Sequence, residues 1–196
     1  FNDYSLGRPY INRVFMRFYA NEDDLLHAYE SGSITSLSAV SSNTLNEYIN
    51  KDSHLLQIDF PRIFAIFFNQ NKNHAFVDEG VRTALDILVD KELIIKEVLN
   101  GYGTAIDSPL PPGTVTGQSV VAPSSLSSEE RTAKAREILT GAGWEFSEEQ
   151  NTWSDGEQLL TFTISTANTP ELKKAAEIAA RAWLEAGILV KVNVFE

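Results

Sequence analysis

A chain of 196 residues can hold one large domain or two small ones around a core that needs no staples, and 43% hydrophobic with 10% aromatic residues excludes a disordered tail. A net charge of −11 with no cluster of Lys and Arg makes nucleic acid and anionic membrane poor partners. Cysteine is absent, which removes disulfides, thiolate metal sites and cysteine nucleophiles together.

No run approaches the length of a membrane span, and the first residues have neither a basic region nor an apolar signal core. The chain opens at Phe1 rather than Met, which suggests a processed protein or a piece of a longer one. Residues 1–9 are rich in turn formers. Residues 11–19 alternate, with Val14, Met16 and Phe18 on one side against Arg13, Phe15, Arg17 and Tyr19, as in a strand covered on at least one face. Asn21 is placed to cap a short helix with acids in its first turn, burying Leu25, Ala28 and Tyr29 and ending at Gly32. The pattern then predicts a serine-rich strand over 33–40 and a helix over 41–51, capped by one of the preceding serines or by Asn43. Leu56, Ile58 and Phe60 form a further strand that stops at Pro61.

Residues 63–68, Ile-Phe-Ala-Ile-Phe-Phe, carry no charge and no turn former, so they read as a central strand buried on both faces. Asn69 at its end is suited to fix the loop that follows. Asp78 can cap a helix with Val81, Ala84, Leu85 and Leu88 on one face. Asp90 can cap a second, with Ile94, Ile95, Val98 and Leu99 inward and Gly101 to end it. A buried strand feeding two helices is the kernel of an α/β layer structure. Arg82 suits pairing with an acid or capping carbonyls.

Residues 101–127 hold Pro109, Pro111, Pro112 and Pro123 among Gly, Ser and Thr, which predicts a long loop crossing the surface. Ser127 with Glu130 has the capping-box spacing and opens a helix on Ala135, Ile138, Leu139 and Ala142 that ends at Gly141 and Gly143. Residues 144–166 read as one hairpin, with an arm at Trp144 and Phe146, a turn through Ser154-Asp155-Gly156 and an arm with Leu160, Phe162 and Ile164. Thr169-Pro170-Glu171 starts a helix with small residues along one stripe, Gly187 ends it, and alternating Val190, Val192 and Val194 form a last strand. The fold class expected is α/β, a mixed β-sheet flanked by helices.

The search for an enzyme is mostly negative. There is no Gly-x-Ser-x-Gly elbow, no glycine-rich phosphate loop and no His-Glu-x-x-His helix. His27, His54 and His74 are scattered and read as surface residues, and no catalytic residue, metal site or cofactor is expected. Open α/β sheets place ligands beyond the carboxyl ends of their strands. By that rule Ser36, Leu37, Ser38, Arg62, Phe64 and Tyr102 are the candidates to face a cleft.

Asn69, Phe76, Asp78, Val81-Arg82, Ala84-Leu85, Asp90, Ile94-Ile95, Val98-Leu99 and Gly101, in that order, resemble the signature of family 5 extracellular solute-binding proteins. These are the oligopeptide-, dipeptide- and nickel-binding receptors of ABC importers. Asn2-Asp3-Tyr4, Gly7-Arg8-Pro9 and the Leu139-to-Trp144 ending resemble the same family outside that run. The resemblance implies a periplasmic-binding-protein type II-like lobe, with residues 1–196 as most of the second of two lobes. It also implies one wall of an interlobe cleft, a peptide or other small solute as ligand, an ABC permease as partner, and a place outside the cytoplasm. The chain departs from the family at Ser5, where Trp is usual, and at Ser33-Ile34-Thr35, where Glu, an apolar residue and Asp are usual. Those departures keep a second expectation in view, a ligand-sensing domain of a regulatory protein. Either way, the reading requires residues 63–68 to be covered from solvent.

Overall fold

The computed structural model describes residues 5–7, 10–38, 40–41, 44–45, 55–56, 62–107, 109–110 and 126–196. They fall into two units, Phe1–His54 and Leu55–Glu196.

In the first unit, helix α1 (Glu22–Glu30) starts where expected. The Asn21 side chain accepts the Asp24 N–H at 2.8 Å, and Glu22, Asp23 and Asp24 complement the positive end of the helix. It ends on Gly32 at φ 72°, whose N–H donates to Tyr29 O while that of Ser33 donates to Ala28 O, closing a Schellman motif. Leu25, Ala28 and Tyr29 are half-buried and no α1 residue is fully buried. The Glu22 carboxylate reaches forward to accept the Ser41 N–H at 2.7 Å. Ser41 Oγ accepts the Thr44 N–H and Ser41 O the Leu45 N–H, so Ser41 opens the next helix as expected. The rest of the 41–51 helix and most of the 56–60 strand lie outside the described residues.

Two strand expectations in this unit are corrected. Residues 11–19 and the described part of 33–40 are irregular, and Ile11, Val14, Phe15, Met16 and Phe18 are 67–93% exposed. Alternation makes a segment able to pair, but a strand exists only where another segment takes up its backbone N–H and C=O groups. Among the described residues of this unit none does.

The second unit begins with the largest correction. Residues 62–69 join no ladder among the described residues, and Phe64, Ile66 and Phe67 are 53%, 41% and 90% exposed, so the expected central strand is bare. Phe68 is tied to the core, its ring 5.0 Å from that of Phe76. Asn69 does fix the loop: Oδ1 accepts the N–H groups of Asn71 and Lys72. A 3₁₀ turn (His74–Val77) capped by Asn73 leads into α2 (Glu79–Leu88), and Asp78 caps α2 through the Gly80 N–H at 2.7 Å. Val81, Ala84, Leu85 and Leu88 are all buried. Helix α3 (Lys91–Leu99) is capped by Asp90 as expected. Of its inward set only Val98 is fully buried, and Asn100 takes the left-handed position ahead of Gly101.

Helix α4 (Ser128–Gly141) carries the capping box between Ser127 and Glu130. It runs antiparallel along α2: Gly80 at the start of α2 lies so close to α4 that a Cβ there would stand 2.7 Å from Ala142 Cβ, while Asp90, just past the end of α2, meets Arg131 near the start of α4. The ends of α4 and of α5 (Pro170–Glu185) repeat one device. Gly143 and Gly187, both at φ 86°, follow an alanine, and the next apolar N–H, of Trp144 or Ile188, returns to Leu139 O or Trp183 O. Pro170 opens α5 as expected, although the Thr169 side chain makes no cap bond.

The expected hairpin is re-cut. Strands β1 (Glu145–Ser147) and β2 (Thr152–Ser154) pair antiparallel around a turn at 148–151, and a second turn at Asp155–Gln158 returns Leu160 to Trp153. Strand β3 (Thr161–Ala167) pairs parallel with β4 (Leu189–Phe195), from Thr161 opposite Leu189 to Ala167 opposite Phe195. The β3–α5–β4 path is thus a crossover unit. Alternation alone does not distinguish a parallel from an antiparallel partner. Among the described residues the β-structure is therefore mixed in kind but split into two two-stranded ladders. Buried Ala176, Ala179, Ala180 and Trp183 set α5 against β3 and β4 and against α2 and α3.

Candidate functional site

The six candidate residues divide between the units. Ser36, Leu37 and Ser38 follow the Gly32 turn in irregular backbone, the two serines exposed and Leu37 half-buried. In the second unit the structure brings two candidates together. The Arg62 guanidinium lies over the Phe64 ring, 4.9 Å from its centroid, and both side chains are exposed. Tyr102 is half-buried in the turn after α3, its N–H donating to Leu99 O at 2.8 Å.

The carboxyl-end rule points to a place the sequence reading missed. The parallel ladder ends at Ala167 and Phe195, where the Asn168 N–H donates to Phe195 O at 2.8 Å and Phe195 is 57% exposed. Reading β3 as a hairpin arm hid that end. The signal that could have found it was the pattern strand, Pro-initiated helix, Gly, strand over 161–195, which is that of a βαβ unit.

Several charges of the second unit have structural partners. Arg82 donates through Nη1 to Phe76 O at 2.7 Å and Val77 O at 2.8 Å, serving carbonyls rather than a carboxylate. Arg131 is buried and pairs with Asp90 at 3.4 Å. Lys91 lies between Asp86, at 3.1 Å, and Asp107. Its burial alone would lower its pKa, but the hydrogen bonds to Asp107 and Asp86 outweigh that and hold it above the ordinary lysine value. Backbone N–H groups depress three acids, Ser41 acting on Glu22, Ser127 on Glu130 and Gln158 on Asp155. His27 and His74 are exposed, and among the described residues no three His, Asp or Glu side chains converge as metal ligands would.

Residues 1–196 match the profile of the bacterial extracellular solute-binding proteins, family 5 middle. The oligopeptide-binding protein AppA of Bacillus subtilis is 23% identical over 198 residues, which is 100% of this chain and 36% of AppA. Heme-binding protein A of Haemophilus influenzae is 29% identical over 131 residues, 67% of this chain and 22% of that protein. Among solved structures, the ABC transporter substrate-binding protein CtaP of Listeria monocytogenes gives a TM-score of 0.72 at 21% identity, over 100% of this chain and 37% of CtaP. AppA in complex with a nonapeptide gives 0.63 at 20% identity, over 89% of this chain and 34% of AppA. These likenesses bear out the α/β fold of the type II periplasmic-binding-protein kind. They do so although residues 62–69 stand unpaired, because the match spans the whole chain rather than that one segment.

Proposed function

The chain belongs to family 5 of the bacterial extracellular solute-binding proteins, and from that premise we propose that it forms one wall of the cleft in which a peptide is enclosed for an ABC importer. The family is one of solute receptors and not of enzymes. One observation carries the choice of peptide: the relative named for oligopeptides matches this chain along all of its length, while the one named for haem matches 67% of it. The proposal keeps residues 1–196 as a single lobe working outside the cytoplasmic membrane. Among the described residues no helix is long and apolar enough to cross a membrane.

A peptide offers a periodic row of N–H and C=O groups together with charged termini. Ser36 and Ser38 in the first unit suit the former, each hydroxyl being both donor and acceptor. In the second unit the Arg62 guanidinium, held on Phe64, suits a carboxylate, and Tyr102 adds a ring and a hydroxyl; Leu37 would give apolar contact. Closure of two walls shields such contacts from water, and each wall supplies part of the preference for the closed state.

A single wall makes only its own share of those contacts, so this chain alone binds weakly. Calorimetry with pooled peptides, and separately with haem, tests the proposal. Peptide dissociation constants weaker than about 1 µM are expected. Sub-micromolar binding by this chain alone would overturn the one-wall reading, and haem bound more tightly than any peptide would overturn the assignment of peptide.

A further inference from the structure

Helix α3 opens on two adjacent residues of opposite charge, Asp90 at its cap and Lys91 at its first position. Each is engaged by a different end of the same connection, the stretch that leaves α3 and returns as α4. On the departing side, Lys91 Nζ holds the Asp107 carboxylate. On the returning side, Asp90 Oδ2 is 3.4 Å from Arg131 Nη2, and Arg131 Nε donates to the Leu126 carbonyl at 3.2 Å. Asp90 Oδ1 meanwhile accepts the Leu93 N–H at 2.9 Å, so one carboxylate both caps α3 and carries the tie to α4.

We propose that Asp90 and Lys91 form a two-sided ionic clasp that fixes both ends of the 107–126 connection to the first turn of α3. Three features of the packing favour it. Lys91 is pre-placed by Asp86, 3.1 Å away in the last turn of α2, so only Asp107 has to be captured. The Arg131 side chain is 7% exposed, where attraction to Asp90 is screened less than at the surface. Leu126 and Arg131 occupy the two positions, just before the cap and four after it, that an apolar staple joins in other helices. Here a guanidinium-to-carbonyl bond takes that place and adds the bond to Asp90.

Limited proteolysis of the 196-residue chain tests the clasp, read as the rate of cleavage between residues 108 and 125 beside the thermal unfolding midpoint. Replacing both cations by their apolar near-isosteres, K91M with R131M, is expected to quicken cleavage about fivefold, the combined effect of two partly exposed ion pairs. Since loss of Arg131 also touches the start of α4, a second variant keeps the question open to an answer. K91D alone is expected to cleave faster than the parent, and K91D/D107K, which restores the pair with its signs exchanged, to return to the parent rate. Cleavage within twofold of the parent in K91M/R131M, or K91D/D107K cleaving as fast as K91D, would overturn the proposal.

Discussion

The indole N–H of Trp183 donates to the carbonyl of Leu85 at 2.8 Å, across 98 positions of sequence. Leu85 O is one of the last four carbonyls of α2, which have no donor within their helix, and the Val89 N–H that could reach it turns to Asp86 O instead. Trp153 does the same for α5, donating to Ala186 O at 2.9 Å. Both indoles thus satisfy a helix end buried in the core. The Trp183 ring also closes a row of aromatic contacts, Phe68 to Phe76 to Phe162 to Trp183, with centroids 5.0, 5.1 and 5.2 Å apart.

Trp183→Phe keeps an aromatic ring against Phe162 but leaves Leu85 O without its donor. A loss of about 1–2 kcal/mol is expected by urea denaturation, against about 3–5 kcal/mol for Trp183→Ala, which also opens a cavity. A Trp183→Phe variant as stable as the parent would show that the hydrogen bond is immaterial.

Gly143 and Gly187 separate backbone strain from crowding. Both stand at φ 86°, but a Cβ on Gly143 meets nothing within 4 Å while one on Gly187 would lie 2.4 Å from Phe146 Cε2. Gly143→Ala is expected to cost about 1 kcal/mol for the left-handed backbone alone. Gly187→Ala should cost clearly more, and Phe146→Ala in the same chain should recover part of the difference. Matched melting curves for the two alanine variants would refute the close approach.

Thr152 Oγ1 is fully buried without a hydrogen-bond partner among the described residues. Valine has nearly the same shape and no hydroxyl to desolvate, so Thr152→Val is expected to raise stability by about 1 kcal/mol. A destabilised variant in chemical denaturation would mean that the hydroxyl is in fact served.

Glu22 gives a pH dependence with a definite sign. The Ser41 N–H holds its folded pKa below the ordinary value of 4.5. The unfolded chain therefore binds the proton first, and the contribution of Glu22 is present above about pH 4.5 and lost as pH falls through the folded pKa. Stability curves of the parent and of Glu22→Gln should lie apart at pH 6 and converge toward pH 3. Parallel curves across that range would remove Glu22 from the account.

What was legible beforehand was local. Asn21, Asp78, Asp90 and Ser127 cap their helices through N–H groups two or three positions ahead, while the turns at Gly32, Gly143 and Gly187 close theirs through carbonyls three behind the glycine N–H and five behind the N–H that follows it. Such contacts are written in a few consecutive residues, so spacing alone identifies them. Of the candidate site, only the Arg62–Phe64 contact, two positions apart, falls in that class. Strands are different, because their partners come from elsewhere in the chain: Ile63 to Phe68 have the composition of a central strand and no ladder, while β3 found β4 across a whole helix.

The amino-acid order by itself determined the helices, their ends, the absence of thiol chemistry and the family to which the chain belongs. Tertiary structure alone decided which strands pair, which carbonyls Trp153, Trp183 and Arg82 serve, and which apolar residues stay exposed. The reason is physical: a cap is settled within one turn of helix, whereas a ladder or a buried indole must find a group of the right geometry at long range, after the chain has already paid the entropy of bringing it there.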